Sequence, residues 1–165
     1  MPLMPLPIEL AQLVARANPA VIGTVRSDAS PHTAATWYDW EDGRILLNMD
    51  ESRARLGHMR ENPRVSITIL VEGDAADQVT LLGRVESIEP DDDLRDIDRL
   101  ALRYTGKPFR TRDRRRVSAW LRPERWSSWP LPQAVASAAR TPNTAGGFVS
   151  PARGDEFGGG GESHL

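Results

Sequence analysis

Arg53 and Arg55 stand one residue apart in the segment NMDESRARLGHMRENPRVSI, at the mouth of a short stretch of helical length that Asn62-Pro63 cuts off. The first turn of a helix leaves backbone N–H groups unpaired and carries a partial positive charge, so it attracts anions. Two guanidinium groups at that point add paired donors with the geometry a phosphate accepts. Asp50 or Ser52 is the expected N-cap. The same arginines also fit an ordinary solvated helix face, and spacing alone does not separate the two readings. His58, three residues beyond Arg55, is a packed or solvated histidine on one reading and a ligand on the other.

Few other residues offer chemistry. The chain has no cysteine, hence no disulfide, thiolate nucleophile or cysteine metal site, and its three histidines lack the helical pairing of a structural zinc site. A net charge of −2 argues against a nucleic-acid partner held mainly by electrostatics, while leaving room for a local basic groove. No window approaches the roughly 18 consecutive apolar residues of a membrane span, and the opening MPLMPLPIEL lacks the basic start and apolar core of a signal peptide. The expectation is a soluble cytoplasmic protein. Of the 21 basic residues only Lys107 is a lysine, as GC-rich coding would produce.

The elements that must position the arginines can be read from periodicity. Residues 7–17 place Leu10, Leu13, Val14 and Ala17 on one helical face, and Asn18-Pro19 ends it. Short β-branched or alternating runs follow at 20–26, 33–40 and 43–49, the first two joined by SDASP and the last two by Glu41-Asp42-Gly43, whose Asp-Gly pair suits a tight hairpin. Two further strands are expected at 64–71 and 77–88, with Gly83 as the place for a bulge. Glu89-Pro90-Asp91 then opens a helix with Leu94, Ile97, Ala101 and Tyr104 along one side, and 117–121 is a last strand ending at Arg122-Pro123-Glu124-Arg125. Six or so short antiparallel strands with peripheral helices describe a mainly β fold, a closed or nearly closed barrel. The chain is long enough for one such domain, over residues 1–130. Residues 131–165 are rich in Gly, Pro and Ala without an apolar period, and read as a mobile tail.

The order PHTAATWY, Asp-Gly hairpin, NMDESRARLGHMRENPRVSI and closing RPERWSSW resembles the pyridoxamine 5'-phosphate oxidase-like split β-barrel family, and within it the deazaflavin (coenzyme F420) dependent reductases. The likeness extends over about residues 7–130, with Arg55 where that family usually has lysine and His58 where it usually has asparagine. Arginine keeps the charge and adds a planar fork. The resemblance implies a flat cofactor ring lying against strand backbone near residues 32–37 and 48–49, with its phosphate on Arg53 and Arg55. It implies His32, Thr36, Asn48, Met49, Arg53, Arg55 and His58 as cofactor-binding positions, the side chains of His32 and Asn48 offering hydrogen bonds. The alternative for each is an exposed strand-end residue.

Trp37, Tyr38 and Trp40 line either a cleft, a core or a subunit interface, and the resemblance implies a homodimer with cofactor sites between subunits. Arg110, Arg112, Arg114, Arg115 and Arg116 form either a solvated loop or a rim for an anionic partner such as a polyglutamate-tailed deazaflavin. The resulting expectation is an oxidoreductase that uses reduced coenzyme F420 to transfer hydride to an unsaturated small organic acceptor. An FMN-dependent enzyme of the same fold and a non-catalytic carrier of a cofactor or haem-like ligand are the alternatives. No side chain stands out as a catalytic acid or base.

Overall fold

The structure, a computed structural model, describes residues 1–71 and 74–129; the expected tail at 131–165 lies outside the described residues. The elements are α1 (Ile8–Val14), β1 (Ala20–Val25), β2 (Pro31–Thr36), β3 (Asp39–Glu41), β4 (Arg44–Asp50), α2 (Ala54–Glu61), β5 (Arg64–Val71), β6 (Asp74–Pro90), α3 (Arg95–Thr105) and β7 (Arg116–Trp129). All strand pairs are antiparallel, and the seven strands form one sheet in the order β2-β1-β5-β6-β7-β4-β3.

That order places β2 and β3 at opposite edges of the sheet, although only Trp37 and Tyr38 separate them in sequence. Three Cα–Cα steps of about 3.8 Å cannot span more than about 11 Å. The two edges therefore come together and the sheet is rolled into a barrel. The barrel interior holds Ile22 of β1, Ile45, Leu47 and Met49 of β4, Ile67 and Ile69 of β5, Val79 and Leu81 of β6, and Val117, Ala119 and Leu121 of β7. Leu10, Leu13 and Val14 of α1 and Leu56 and Met59 of α2 join the same core. On the other face of β4, Leu46 is buried where α3 packs on β4 and β7 with Ile97, Leu100 and Ala101.

The expected single strand over 33–40 is broken in the middle. Tyr38 is fully buried, its hydroxyl 2.9 Å from the Val14 carbonyl oxygen and 2.8 Å from that of Arg16. Trp37 stacks on Tyr104 of α3 at 5.5 Å between ring centroids. Arg99 of α3 donates to Asp39 and Glu41 at 2.6 and 2.8 Å, and Arg103 lies 3.1 Å from Asp39, so the helix clips down the short β3 edge. The aromatic residues Trp37, Tyr38 and Tyr104 thus hold the join between the two sheet edges. The Asp42-Gly43 turn has positive φ at both residues, 50° and 75°, as a two-residue hairpin requires.

Three further boundaries differ from expectation. Strand β7 does not stop at Leu121: it runs through Pro123 to Trp129, because Pro123 falls at a bulge opposite Gly83, where the ladder shifts register and no N–H is demanded. Glu89 and Pro90 belong to β6, paired with Ser118 and Val117, and α3 begins only at Arg95. Asp91 accepts from the Asp96 and Ile97 amides at 3.1 and 3.0 Å and so caps a helix that starts four residues later. Helix α1 is shorter than 7–17 and ends at Val14, with Asn18 donating back to the Leu13 carbonyl at 2.9 Å.

Gly83 is indispensable to that bulge, since a Cβ there would sit 2.2 Å from the Arg122 carbonyl oxygen and 2.8 Å from Pro123 Cα. Gly83→Ala should cost roughly 1–3 kcal/mol of stability, the range for overpacking. Gly57, exposed within α2 and with nothing within 4 Å of an added Cβ, should gain up to about 1 kcal/mol on substitution by alanine. Urea unfolding of the two variants checks both signs.

Candidate functional site

The hairpin register between β3 and β4 pairs Glu41 with Arg44 and Asp39 with Leu46, then ends. Continued through the break, it would set Trp37 opposite Asn48 and Ala35 opposite Asp50. The ladder parts instead. Among the described residues, strand β2 pairs only with β1, and the Leu47–Asp50 half of β4 pairs only with β7. Alternation along an antiparallel strand then decides which backbone groups face the gap. On β2, Arg26 donates to the Ser30 carbonyl, so His32, Ala34 and Thr36 bond toward β1 while Thr33 and Ala35 turn outward. On β4, Glu51 donates to the Arg115 carbonyl, so Leu47 and Met49 bond toward β7 while Asn48 and Asp50 face away. The gap is consequently lined by main-chain N–H and C=O groups of Thr33, Ala35 and Asn48. Its end is occupied by Arg55, which donates to the Ala35 carbonyl at 3.4 Å.

Helix α2 starts at Ala54 with Arg53 in the N-cap position, and no side chain caps it. Asp50, an expected cap, accepts instead from the backbone and hydroxyl of Ser52 at 2.9 and 2.6 Å, while the Arg53 amide bonds to the Asp50 carbonyl. Arg53 is exposed. Arg55 is not: its Nε is buried without a hydrogen-bond partner, and burial, then the charges of Arg53 and Arg116, pull its pKa down to about 10. Arg116 is also lowered, chiefly by burial, with Asp50 and Asp91 opposing and Arg53 adding to the effect. Three guanidinium groups thus lie within electrostatic reach of each other around the end of β4. Like charges gathered at partly dehydrated positions, one with an orphaned donor, suit an anion.

Arg55 and His58, one helical turn apart on α2, share a face. His58 Nδ1 lies 3.1 Å from the hydroxyl of buried Thr24, and its ring meets His32 edge-on, centroids 5.1 Å apart. His32 sits across from Thr24 in the β1–β2 ladder, and its Nδ1 is buried without a partner. Thr36 points its hydroxyl to the Trp37 carbonyl at 3.0 Å. Four of the seven expected positions, His32, Arg53, Arg55 and His58, therefore gather at one end of the gap. Asn48 and Met49 are placed otherwise. Met49 is buried in the barrel core, and the Asn48 side chain is buried on the opposite face of β4, donating to Asp91 and Ser118 at 2.8 and 3.1 Å and accepting from Arg116 at 2.9 Å. Only main-chain groups of these two residues reach toward the gap or the strand beside it.

The arginine cluster at 110–116 also divides. Arg112 is paired with Asp98 at 2.6 Å, Arg114 lies 3.6 Å from Asp50 and Arg115 3.7 Å from Glu51, whereas Arg116 turns onto Asn48 and over the Phe109 ring. Sequence reading placed Arg116 in the cluster but did not single it out. The signal that finds it is its pairing with Asp50 across β4 and β7.

A sequence model of the family described as pyridoxamine 5'-phosphate oxidase matches residues 6–130. The chain belongs to that family. Its members bind flavin-type cofactors and include oxidoreductases. Among solved structures, an F420 reductase is 25% identical with a TM-score of 0.65, covering 75% of this chain and 98% of that one. A conserved hypothetical protein of Mycobacterium tuberculosis is 22% identical (TM-score 0.62; 89% and 95% covered), and general stress protein 26 of Bacillus anthracis 21% identical (TM-score 0.55; 73% and 90% covered). These two likenesses are of fold. No curated protein matches the sequence. Among the described residues, no helix is long and apolar enough to cross a membrane.

The His32 imidazolium is disfavoured by burial first, then by Arg26, His58 and Arg55. The unfolded chain therefore takes up this proton before the folded one does. The corresponding stability is whole above the ordinary histidine value of 6.5 and is lost as the pH falls through the depressed folded value. The ligand-free protein should melt lower at about pH 5.5 than at about pH 7.5, and His32→Asn should flatten that slope. Thermal melts of the two proteins across this range measure it.

Proposed function

We propose that the chain is an oxidoreductase that binds a phosphate-bearing flavin-type cofactor in the gap between β2 and β4, with reduced coenzyme F420 as hydride donor to an unsaturated small organic acceptor. The observation that carries this reading is Arg55: a half-buried cation with an orphaned Nε, flanked by two more arginines, at the end of a slot lined by backbone that lies outside the strand ladders. Phosphate on Arg53 and Arg55 would satisfy the orphaned donor and relieve the mutual repulsion of the cations. Main-chain groups of Thr33, Ala35 and Asn48 suit the polar edge of a flat heterocycle, since fixed N–H and C=O groups orient a ring and tune its electron density. The likeness to an F420 reductase over nearly the whole of that chain supports the deazaflavin.

The cofactor supplies the hydride chemistry when bound. The chain's own residues bind, orient and exclude water: Arg53 and Arg55 fix the phosphate end, and His32 and His58 stand beside Arg55, His32 with a buried, unpartnered Nδ1. FMN carries a phosphate that the same arginines accept, and the family match favours it as a second reading.

Arg53→Ala or Arg55→Ala should weaken cofactor binding by roughly 1.5–3 kcal/mol, the range for hydrogen bonds to charged groups. Arg55→Lys should retain most of the affinity, because it keeps the charge. Arg55→Ala should leave the melting temperature of the ligand-free protein at or above that of wild type, since the truncation removes a cation that has like-charged neighbours and an unmet donor. Fluorescence titration with coenzyme F420 and with FMN, alongside thermal melts, reads all three. Wild-type affinity in both alanine variants overturns the phosphate assignment, and tighter binding of FMN than of coenzyme F420 decides for the second reading.

The proposal includes a homodimer, for which exposed Leu3, Ile8, Leu102 and Trp129 offer apolar surface. Its interface should bury well over about 1,000 Å² in total. Light scattering at micromolar concentration should therefore show twice the 18.3 kDa chain mass, and a monomer alone removes this part of the reading.

A further inference from the structure

Arg116 has a different environment from every other arginine of its cluster. Its Nε donates to the Asn48 side-chain oxygen at 2.9 Å, and its guanidinium carbon lies 4.7 Å over the Phe109 ring. Neither terminal nitrogen has a hydrogen-bond partner among the described residues. The Asn48 amide cannot turn over, because its nitrogen is committed to Asp91 and Ser118. Those partners are fixed in turn: Asp91 accepts from two amides at the start of α3, and the Ser118 hydroxyl donates to Asp96 at 2.7 Å. All four of Asn48, Asp91, Asp96 and Ser118 are buried. A planar fork held by its Nε and by an aromatic face presents its two outer nitrogens in one fixed direction.

Register sets where that fork stands. Arg116 pairs with Asp50 across β4 and β7, and the chain turns directly from Asp50 into the α2 mouth that carries Arg53 and Arg55. The carboxylate nearest by register makes no hydrogen bond or ion pair with it: Asp50 accepts from Ser52 at one oxygen, and its other oxygen, buried without a hydrogen-bond partner, lies 3.6 Å from Arg114.

We infer that Arg116 is a third anion-binding arginine of this site and that buried Asn48 is its positioning residue, acting on the ligand only through Arg116. This rests on the phosphate reading above and extends it from two arginines to three. It also reassigns Asn48: its main chain faces the gap, while its side chain aims a cation. The preferred ligand is a phosphate ester or diester, whose several oxygens three guanidinium forks can share.

The test titrates wild type, Arg116→Ala, Asn48→Ala and the double variant with FMN and coenzyme F420, using riboflavin and the phosphate-free deazaflavin as controls. Arg116→Ala should weaken binding of the phosphate-bearing ligands by about ten- to a hundredfold and leave the phosphate-free ones unchanged. Asn48→Ala should weaken the same ligands about tenfold, and the double variant should bind no more weakly than Arg116→Ala alone. Additive losses would make Asn48 a structural residue and overturn its assigned role. Wild-type affinity in Arg116→Ala overturns the third arginine; if Arg53→Ala and Arg55→Ala are equally inert, the phosphate reading itself falls, and if they are impaired, only this extension does. Should Asn48→Ala not fold, Arg116→Lys decides. It keeps the charge but replaces the planar fork with a compact ammonium, which cannot be held at Asn48 by one nitrogen while two others face the ligand, so affinity at the alanine level supports the held fork and wild-type affinity refutes it.

Discussion

The parting of one β-ladder governs the molecule. Were β2 and β3 a single strand, the pairing with β4 would run on past Asp39 and Leu46, setting Trp37 against Asn48 and Ala35 against Asp50, and no gap would open between them. Tyr38 prevents this. Its ring is fully buried and its hydroxyl is tied to carbonyls at the end of α1, which pulls the chain off the line a continuous strand would follow. Tyr104 completes the arrangement by stacking on Trp37 and bonding the Asn18 carbonyl at 3.0 Å. Unpaired main-chain groups inside a protein are costly unless water or a ligand meets them. A barrel with an open seam therefore provides, by its topology alone, a polar-edged slot within an otherwise apolar scaffold.

The charges are distributed to match. Carboxylates compensate the arginines around the seam unequally: Asp98, Asp50 and Glu51 take Arg112, Arg114 and Arg115, whereas Arg53, Arg55 and Arg116 have no ion pair among the described residues. Burying such cations disfavours the folded state, and the lowered pKa values of Arg55 and Arg116 follow chiefly from that burial, with the like charges of Arg53 and Arg116 adding at Arg55 and with Asp50 and Asp91 opposing at Arg116. The rest of the fold supports it through rigid elements, since Arg55 rides on a helix whose Leu56 and Met59 are anchored in the core and Arg116 begins a strand paired on both sides.

Much of this was legible in the sequence where the signal is local. Asp42-Gly43 announces a hairpin because only its turn needs two positive φ angles, and Arg53, Arg55 and His58 stand out by their place before Asn62-Pro63. Distant partners hid the remainder. TAATWYDW alternates like a strand, and its break is imposed by partners remote in sequence: the end of α1, which takes the Tyr38 hydroxyl, and Tyr104, 66 residues beyond Tyr38. Pro123 reads as a terminator until Gly83 is found opposite it. Pro90 reads as a helix start, but the cap of α3 is Asp91 reaching five and six residues forward. Asn48 and Met49 were singled out as a pair, yet adjacent strand residues face opposite sides, so one side chain entered the core and the other the network beneath α3.

The division among the arginines bears on what the site can tell apart. A ligand with a long polyanionic tail would gain from free cations along the 110–116 segment, but Arg112, Arg114 and Arg115 already hold carboxylates, and recruiting them means exchanging one ion pair for another. Such exchanges near the surface yield little net free energy, on the order of 0–1 kcal/mol each. On the proposed reading, the phosphate end would meet cations with no such competitor. The phosphate and the ring edge would then dominate recognition and a tail would modulate it weakly, because the cations without an ion pair are concentrated at the mouth of α2 and the start of β7 rather than along the rim.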